Sequence, residues 1–242
     1  MKRYQCCLCK ATWSGRAPTK RQKRPDLNRL ILKLAVSGMT QRRIALVLEC
    51  DRKTVARKIR ALAIRSWDIH QDRCPSTIHA MMDELETHLW ARWAQVSVGV
   101  IIRASTQEIL AIDACEKPSS MDKGQKKGWT VNNRPQMLAN LLAMTHPRMK
   151  SGAIITTDGS TSYPGLIALN MPGVVHKRWV AQAGATHDPL FPINQLFATM
   201  RQDMARLFRS TWSHSKDITA LRWHLWLYVA WRNGYDLGRG LD

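Results

Sequence analysis

Acidic residues are in short supply. The 242-residue chain holds 18 Asp and Glu against 37 Lys and Arg, a formal charge of +19. Self-repulsion on that scale opposes compaction, so the charge calls for a polyanionic partner. Long apolar runs are missing as well, and none approaches the roughly 18 to 20 residues of a membrane span. The opening MKRYQCCLCK is basic but lacks the apolar stretch of a signal peptide. A cytoplasmic protein with no membrane partner is therefore expected. In that compartment Cys6, Cys7, Cys9, Cys50, Cys74 and Cys115 are expected as free thiols or metal ligands and not as disulfides. No internal repeat and no low-complexity segment occurs, which excludes a repeat array. What is present in quantity is apolar material, 45% of the residues, enough for one or two domains with a sizeable core.

The positive charge is unevenly spread. Residues 1 to 75 carry 19 basic and 5 acidic side chains, whereas residues 76 to 242 carry 18 and 13. That asymmetry points to an N-terminal part that binds nucleic acid, joined to a less basic body. In residues 1–25, Cys6 and Cys9 form a C-x2-C knuckle, with Cys7 as an alternative first ligand. Two thiolates supply half of a tetrahedral zinc site, and no second C-x2-C follows. The segment is read as half a zinc ribbon with free cysteines, Zn²⁺ occupancy being the alternative. GRAPTKRQKRPD, residues 15 to 26, reads as a basic linker that lies along phosphates.

Residues 26–65 carry the strongest local pattern of this half. LNRLILKLAVS has helical apolar spacing and closes on Gly38, Thr40 can cap QRRIALVLEC, and Asp51 can cap RKTVARKIRAL. Three short helices with a basic third describe a helix-turn-helix. It would offer Arg52, Lys53, Arg57 and Lys58 to the major groove and flanking phosphates, with Arg42 and Arg43 alongside. The polar stretch SWDIHQDRCPSTIH, broken by Pro75, reads as the boundary before a body spanning 78–236.

From residue 81 the texture turns β-branched and alternating. WAQVSVGVIIRASTQEILAIDAC predicts a hairpin, RPQMLANLLAMTHP a helix entered through Pro135, and AIITTD a short buried strand. A loop-like region follows to about residue 192, then two helices. The first, NQLFATMRQDMARLFRSTW, would present Arg201, Arg206 and Arg209 on one face; the second is rich in tryptophan. Within this basic chain, Asp83 of MMDELETH and Asp158 of TTDGSTSYPGL stand at predicted strand ends. Two carboxylates on neighbouring strands are a standard way to hold Mg²⁺, whose remaining ligands are water and phosphate oxygens. Gly159 would permit a tight turn there. His176, Lys177 and Arg178 follow the second acidic strand and could touch a scissile phosphate.

Taken in order, the knuckle RYQCCLCKATW, the helix-turn-helix, MDE, TTDGSTSYPGL and PINQLFATMRQDMARLFRSTWSHSKDITALRWHLWLYVAWRNGY resemble the DDE transposases of small bacterial insertion sequences. The likeness is to the insertion sequence one family and covers nearly the whole chain. It implies an α/β protein: an N-terminal helix-turn-helix module followed by an RNase H-like mixed-sheet catalytic domain. The activity implied is metal-dependent cleavage and transfer of DNA strands at the element's terminal repeats. Mg²⁺ or Mn²⁺ would be the cofactor. Double-stranded DNA, at element ends and target, would be the partner, acted on by a homo-oligomer at the bacterial nucleoid.

The resemblance casts Asp83 and Asp158 as the first two metal ligands. The third, a glutamate seven residues before Arg201, falls on Asn194, whose amide can coordinate but brings no charge. Asn194 is the favoured third ligand, and Glu84, Glu86, Asp188 and Asp203 are the alternatives, with Asp188 the leading one. Alternatively the copy has decayed into a DNA-binding protein or repressor. Strand alternation turns Glu84 and Glu86 away from Asp83 unless the strand ends there.

Overall fold

Three of the helices begin on a side-chain cap, and the N-terminal ones follow the apolar spacing of the sequence. The computed structural model describes residues 3–5, 12–14, 24–180, 188–208 and 212–237. Arg3–Gln5 (β1) and Thr12–Ser14 (β2) pair antiparallel as a separate ribbon. Cys6 and Cys9, between these strands in sequence, lie outside the described residues. In α1 (Leu27–Ala35), Leu27, Ile31, Leu32 and Ala35 form the buried stripe. Thr40 caps α2 (Gln41–Val47) by accepting a hydrogen bond from the Arg43 amide. Asp51 caps α3 (Arg52–Arg73) by accepting one from the Lys53 amide at 2.6 Å.

The third helix does not stop at the polar boundary. It runs 22 residues to Arg73, because Val55, Ile59, Leu62, Ser66 and His70 continue one buried stripe. The last two are polar, which is why the stripe reads as surface in one dimension. Both are satisfied by the body of the protein. Ser66 Oγ donates to the Trp226 carbonyl at 2.5 Å. The two His70 ring nitrogens bond the Tyr235 hydroxyl at 2.9 Å and the Leu110 carbonyl at 2.8 Å. The three N-terminal helices therefore share one continuous core with the sheet and the C-terminal helix.

The sheet is built from β3 (Thr77–His88), β4 (Gln95–Arg103), β5 (Ile109–Glu116), β6 (Met149–Asp158) and β7 (Val175–Trp179), in the order β5-β4-β3-β6-β7. The first three run antiparallel as a meander, while β6 and β7 run parallel to β3. The chain is thus α/β, with a mixed five-stranded sheet and eight α-helices among the described residues. The β-branched run of β4 is buried almost end to end, as expected for a strand covered on both faces.

A five-residue helix, α4 (Asp122–Lys126), lies in the loop after β5. On one face of the sheet, α5 (Arg134–Thr145) and α6 (Tyr163–Asn170) pack against Ala80, Met82 and Ile101. On the other, Met81, Val98 and Val100 join the core of α1–α3, α7 (Phe191–Asp203) and α8 (Ile218–Arg232).

Two sequence expectations are corrected. The region expected to be loop-like before residue 192 contains α6 and β7. The arginine face expected on the long helix is cut short, because α7 ends at Asp203 and Arg206 sits in the following 3-10 turn. Arg209 lies outside the described residues. No helix among the described residues is long and apolar enough to cross a membrane.

Gly38, between α1 and α2, ties these helices to the body. Its amide donates to the Asp203 carbonyl at 2.7 Å, with φ at +72°. A Cβ there would stand 3.3 Å from the Gln202 carbonyl oxygen and 3.3 Å from the Phe208 ring. Gly38→Ala is expected to destabilise the protein by about 1 to 2 kcal/mol, through the left-handed backbone alone. A urea titration with an unchanged slope checks it.

Candidate active site

Two successive residues of β3 face opposite sides of the sheet, and their fates differ. Glu84 points toward α5 and α6, where its side chain is only 8% exposed. Arg134 Nε donates to both carboxylate oxygens at 2.8 Å, and its Nη2 lies 2.6 Å from Oε1. The Tyr163 hydroxyl donates to Oε1 at 2.9 Å and Ser97 Oγ to Oε2 at 2.5 Å. The hydrogen bonds to Glu84 raise the pKa of Arg134 above its ordinary value. Burial first, and then the adjacent carboxylate, raises that of Tyr163. Glu84 is thus neutralised within the fold, which removes it as a stand-in third ligand. Glu86, exposed, pairs with Lys117 and is removed likewise.

Asp83 points to the other face, toward α7. Met82 pairs with Thr157 in the parallel register of β3 and β6, so Asp83 and Asp158 come next on adjacent strands. The separation of 75 positions in sequence is closed by the β4–β5 hairpin and α5. Asp83 accepts a hydrogen bond from the Glu84 amide at 2.7 Å. Its pKa is pushed up to about 6, first by desolvation and then by the negative charges of Asp158, Glu84 and Asp188. None of the ion pairs among the described residues involves Asp83, Asp158 or Asp188.

The turn after Asp158 is fixed from within. Asp158 Oδ1 accepts from the Ser160 amide at 2.9 Å, and the hydroxyls of Ser160 and Ser162 share a hydrogen bond of 2.8 Å. Arg134 Nη1 donates to Ser162 Oγ at 3.0 Å. A chain of hydrogen bonds therefore joins Glu84, through Arg134 and two serines, to Asp158. Gly159 adopts no left-handed conformation. Its use is close approach, since a Cβ would stand 3.1 Å from Val180 Cγ2.

Asn194 and Asp188 come together. Asn194 lies on the second turn of α7, and its Nδ2 donates to Asp188 Oδ2 at 3.1 Å. The other oxygen of Asp188 accepts from the Leu190 amide at 2.8 Å and so anchors the start of the helix. Of this pair only Asp188 carries the charge that Asp83 senses. Asp203 is elsewhere, beside the Tyr228 hydroxyl and the Gly38 amide. Arg201 occupies the last turn of α7 and is partly buried.

The residues of β7 divide between faces. His176 bonds Thr157 Oγ1 at 2.9 Å, and Arg178 donates to the Gly159 carbonyl at 2.6 Å, so both brace the acidic turn. Lys177 alternates onto the face of Asp83 and is exposed. On the N-terminal helices, Arg42, Arg43, Arg52, Lys53 and Arg57 are exposed. Lys58 is a correction: it is 4% exposed and donates to Asn28 Oδ1 at 2.8 Å. Helical spacing from Val55 and Leu62 places it inside, and burial lowers its pKa.

Sequence reasoning missed Arg134 and the role of Tyr163. A lone arginine at a helix start carries no signal until its partner is known.

The donor set suits a hard divalent ion in one respect. Two unpaired carboxylates converge, and Mg²⁺ commonly takes one or two, completing its shell with water and phosphate. A third ligand is not in place: among the described residues no three His, Cys, Asp or Glu side chains form a group able to hold a metal. Cys50, in the turn before α3, Cys74, just after it, and Cys115 on β5 are free thiols. No family model matches the chain, and no curated protein does.

Two outcomes are expected. Glu84→Ala strands the Arg134 guanidinium and should cost about 3 kcal/mol, read by chemical denaturation. Asp83 acts in the opposite sense. Because its folded-state pKa lies above the ordinary value of 3.8, stability should fall as pH rises from about 4 to about 6 and stay lowered above. Without divalent cations, Asp83→Asn should be more stable than the unmodified chain at pH 8 by about 2 kcal/mol, a gain that disappears below pH 4.

Proposed function

We propose that the chain is a DNA transposase that cuts and joins strands at the ends of its own mobile element. The observation that carries this reading is the placing of Asp83 and Asp158 side by side on the two central parallel strands, without a cationic partner among the described residues. The strand order and directions, an antiparallel meander extended by two parallel strands, support an RNase H-like core. The capped helices α2 and α3, with the turn between them and exposed Arg52, Lys53 and Arg57, support a helix-turn-helix whose third helix enters the major groove. Sequence-specific binding of the element ends, with assembly of several copies on them, follows from that reading.

Asp83 and Asp158 would hold the divalent ion, with Asp188 nearest to completing the set. That ion would neutralise phosphate charge and lower the pKa of an attacking water or hydroxyl. In the first step water attacks the phosphorus, the P–O3′ bond breaks, and the departing 3′ oxygen takes a proton. In the second the freed 3′-hydroxyl attacks a phosphodiester of the target and displaces its 3′ oxygen. The first step turns one phosphodiester and one water into a 5′-phosphate monoester and a 3′-hydroxyl; the second exchanges one phosphodiester for another and frees one 3′-hydroxyl, and neither needs a covalent enzyme intermediate. The protein's share is positioning. Asn194 orients Asp188, the serine turn orients Asp158, and Lys177 lies on the same face as the acids to meet the phosphate.

A second reading, a DNA-binding protein that has lost cleavage, is favoured by the missing third ligand and by Asn194. Nicking of DNA that contains the element's ends decides between them. Under the first reading the unmodified protein nicks with Mg²⁺ or Mn²⁺, Asp158→Ala abolishes nicking, and end binding stays within about twofold, well under the tenfold that 1.4 kcal/mol would bring. Asn194→Ala, which deprives Asp188 of its partner, should lower the rate about ten- to a hundredfold. Binding without cleavage by the unmodified protein establishes the second reading.

A further inference from the structure

Between the α1–α2 turn, the start of α3 and the segment that leads into α8 lies a cleft of about 440 Å³. That size falls within the range of small-ligand sites. It is separate from the Asp83–Asp158 pair, none of whose residues lines it. Its walls carry Arg42, Arg52, Arg206 and Lys216, and no Asp or Glu lines it. The nearby acids are engaged elsewhere: Asp51 caps α3, and Asp217 caps α8 through the Ala220 amide at 3.0 Å.

Two side chains of this cleft, the partly buried Arg206 and the buried His214, form no ion pair among the described residues. The Arg206 guanidinium donates to Ser215 Oγ at 2.7 Å and has no ion-pair partner among the described residues. Burial pushes its pKa down to about 10, and the negative charge of Asp217 offsets this only in part, so a bound anion would stabilise the charge further. His214 is 8% exposed and stacks on His88 with ring centroids 3.9 Å apart. Its ring lies near the Arg206 backbone, and burial lowers its pKa. At the lip stands Trp212, 97% exposed. A tryptophan with no packing role beside a cationic hollow is the arrangement that single strands use, one group for the base and the others for the phosphate.

We propose that this cleft takes one unpaired nucleotide of a DNA strand, its phosphate among Arg42, Arg52, Arg206 and Lys216 and its base against Trp212. The assignment rests on the reading of DNA as substrate. A continuing strand, and not a free nucleotide, is favoured by the position of Arg42 and Arg52. Both belong to the cleft and also to the exposed cationic face of α2 and α3, so a strand leaving the cleft runs onto that face. A paired base stays stacked within its duplex and cannot lie on the indole.

The test is fluorescence anisotropy at one fixed salt concentration, with a labelled single-stranded 12-mer and a blunt duplex of the same sequence. Trp212→Ala should weaken single-strand binding about tenfold, the loss of one stacked base, and leave duplex binding within twofold. Trp212→Phe should restore most of the affinity, and Lys216→Gln should weaken the single strand by severalfold. An unchanged melting temperature is expected for Trp212→Ala, since the side chain is 97% exposed. Unchanged single-strand affinity in Trp212→Ala overturns the proposal. An equal loss on duplex overturns it in favour of a duplex contact. Displacement of the strand by millimolar inorganic phosphate, with Trp212→Ala neutral, overturns it in favour of a simple anion site. If unmodified protein binds neither DNA, the reading of DNA as substrate fails too; if it binds both and Trp212→Ala is neutral, only the cleft assignment fails.

Discussion

The Glu84–Arg134 pair is the contact on which the placing of the acids depends. It is made on the face of β3 away from Asp83, yet it reaches the other acid. Arg134 is shared between Glu84 and Ser162, and through Ser160 the chain of hydrogen bonds ends on Asp158. One buried ion pair thus ties α5 and α6 to the central strand and holds the turn that presents Asp158. Burying a carboxylate is tolerable here because its oxygens are satisfied by three different side chains. The same strand carries on its other face a carboxylate, Asp83, that takes part in no ion pair among the described residues. A strand's alternation, and nothing longer-ranged, separates the structural acid from the candidate catalytic one.

A second constraint governs the cationic helices. They are not a bead on a linker, since α3 extends past the expected boundary and its stripe is buried against α8. His70 bridges Tyr235 and the β5 backbone, burial lowers its pKa, and the neutral ring suits its two hydrogen bonds. The Gly38 amide adds a fastening from the α1–α2 turn to the end of α7. These contacts fix the exposed arginines relative to the acidic pair. In the proposed function the helices that read the element ends and the residues that cut would move as one unit.

The charge of the chain finds its explanation in where it is placed. Exposed cations populate α2 and the first turns of α3, and the cleft beside them is cationic without a lining acid. Lys58, in the middle of that run, is instead drawn inside and held by Asn28. Net charge therefore overstates the face available to a polyanion, and the partly buried guanidinium of Arg206 belongs to a hollow, not to a helix surface. The tryptophans divide in the same way. Trp226 is buried and stacks edge-on with Trp67 at 4.6 Å, whereas Trp212 stands exposed.

Much of this was legible in the linear chain. Apolar spacing and caps located α1, α2 and the start of α3, because helix formation there depends on neighbours within four positions. Alternation and turn residues located the β4–β5 hairpin, and the buried run of AIITTD located β6. The opposite facing of Asp83 and Glu84 also followed from alternation alone. Long-range contact decided the rest. That α3 continues through Ser66 and His70 depends on carbonyl and hydroxyl partners 40 to 165 positions away. The register that sets Asp83 beside Asp158 and the arginine that neutralises Glu84 both join segments whose local sequence carries no trace of the other. Local periodicity determines which residues lie on a face; only the packed sheet and helices determine what that face meets.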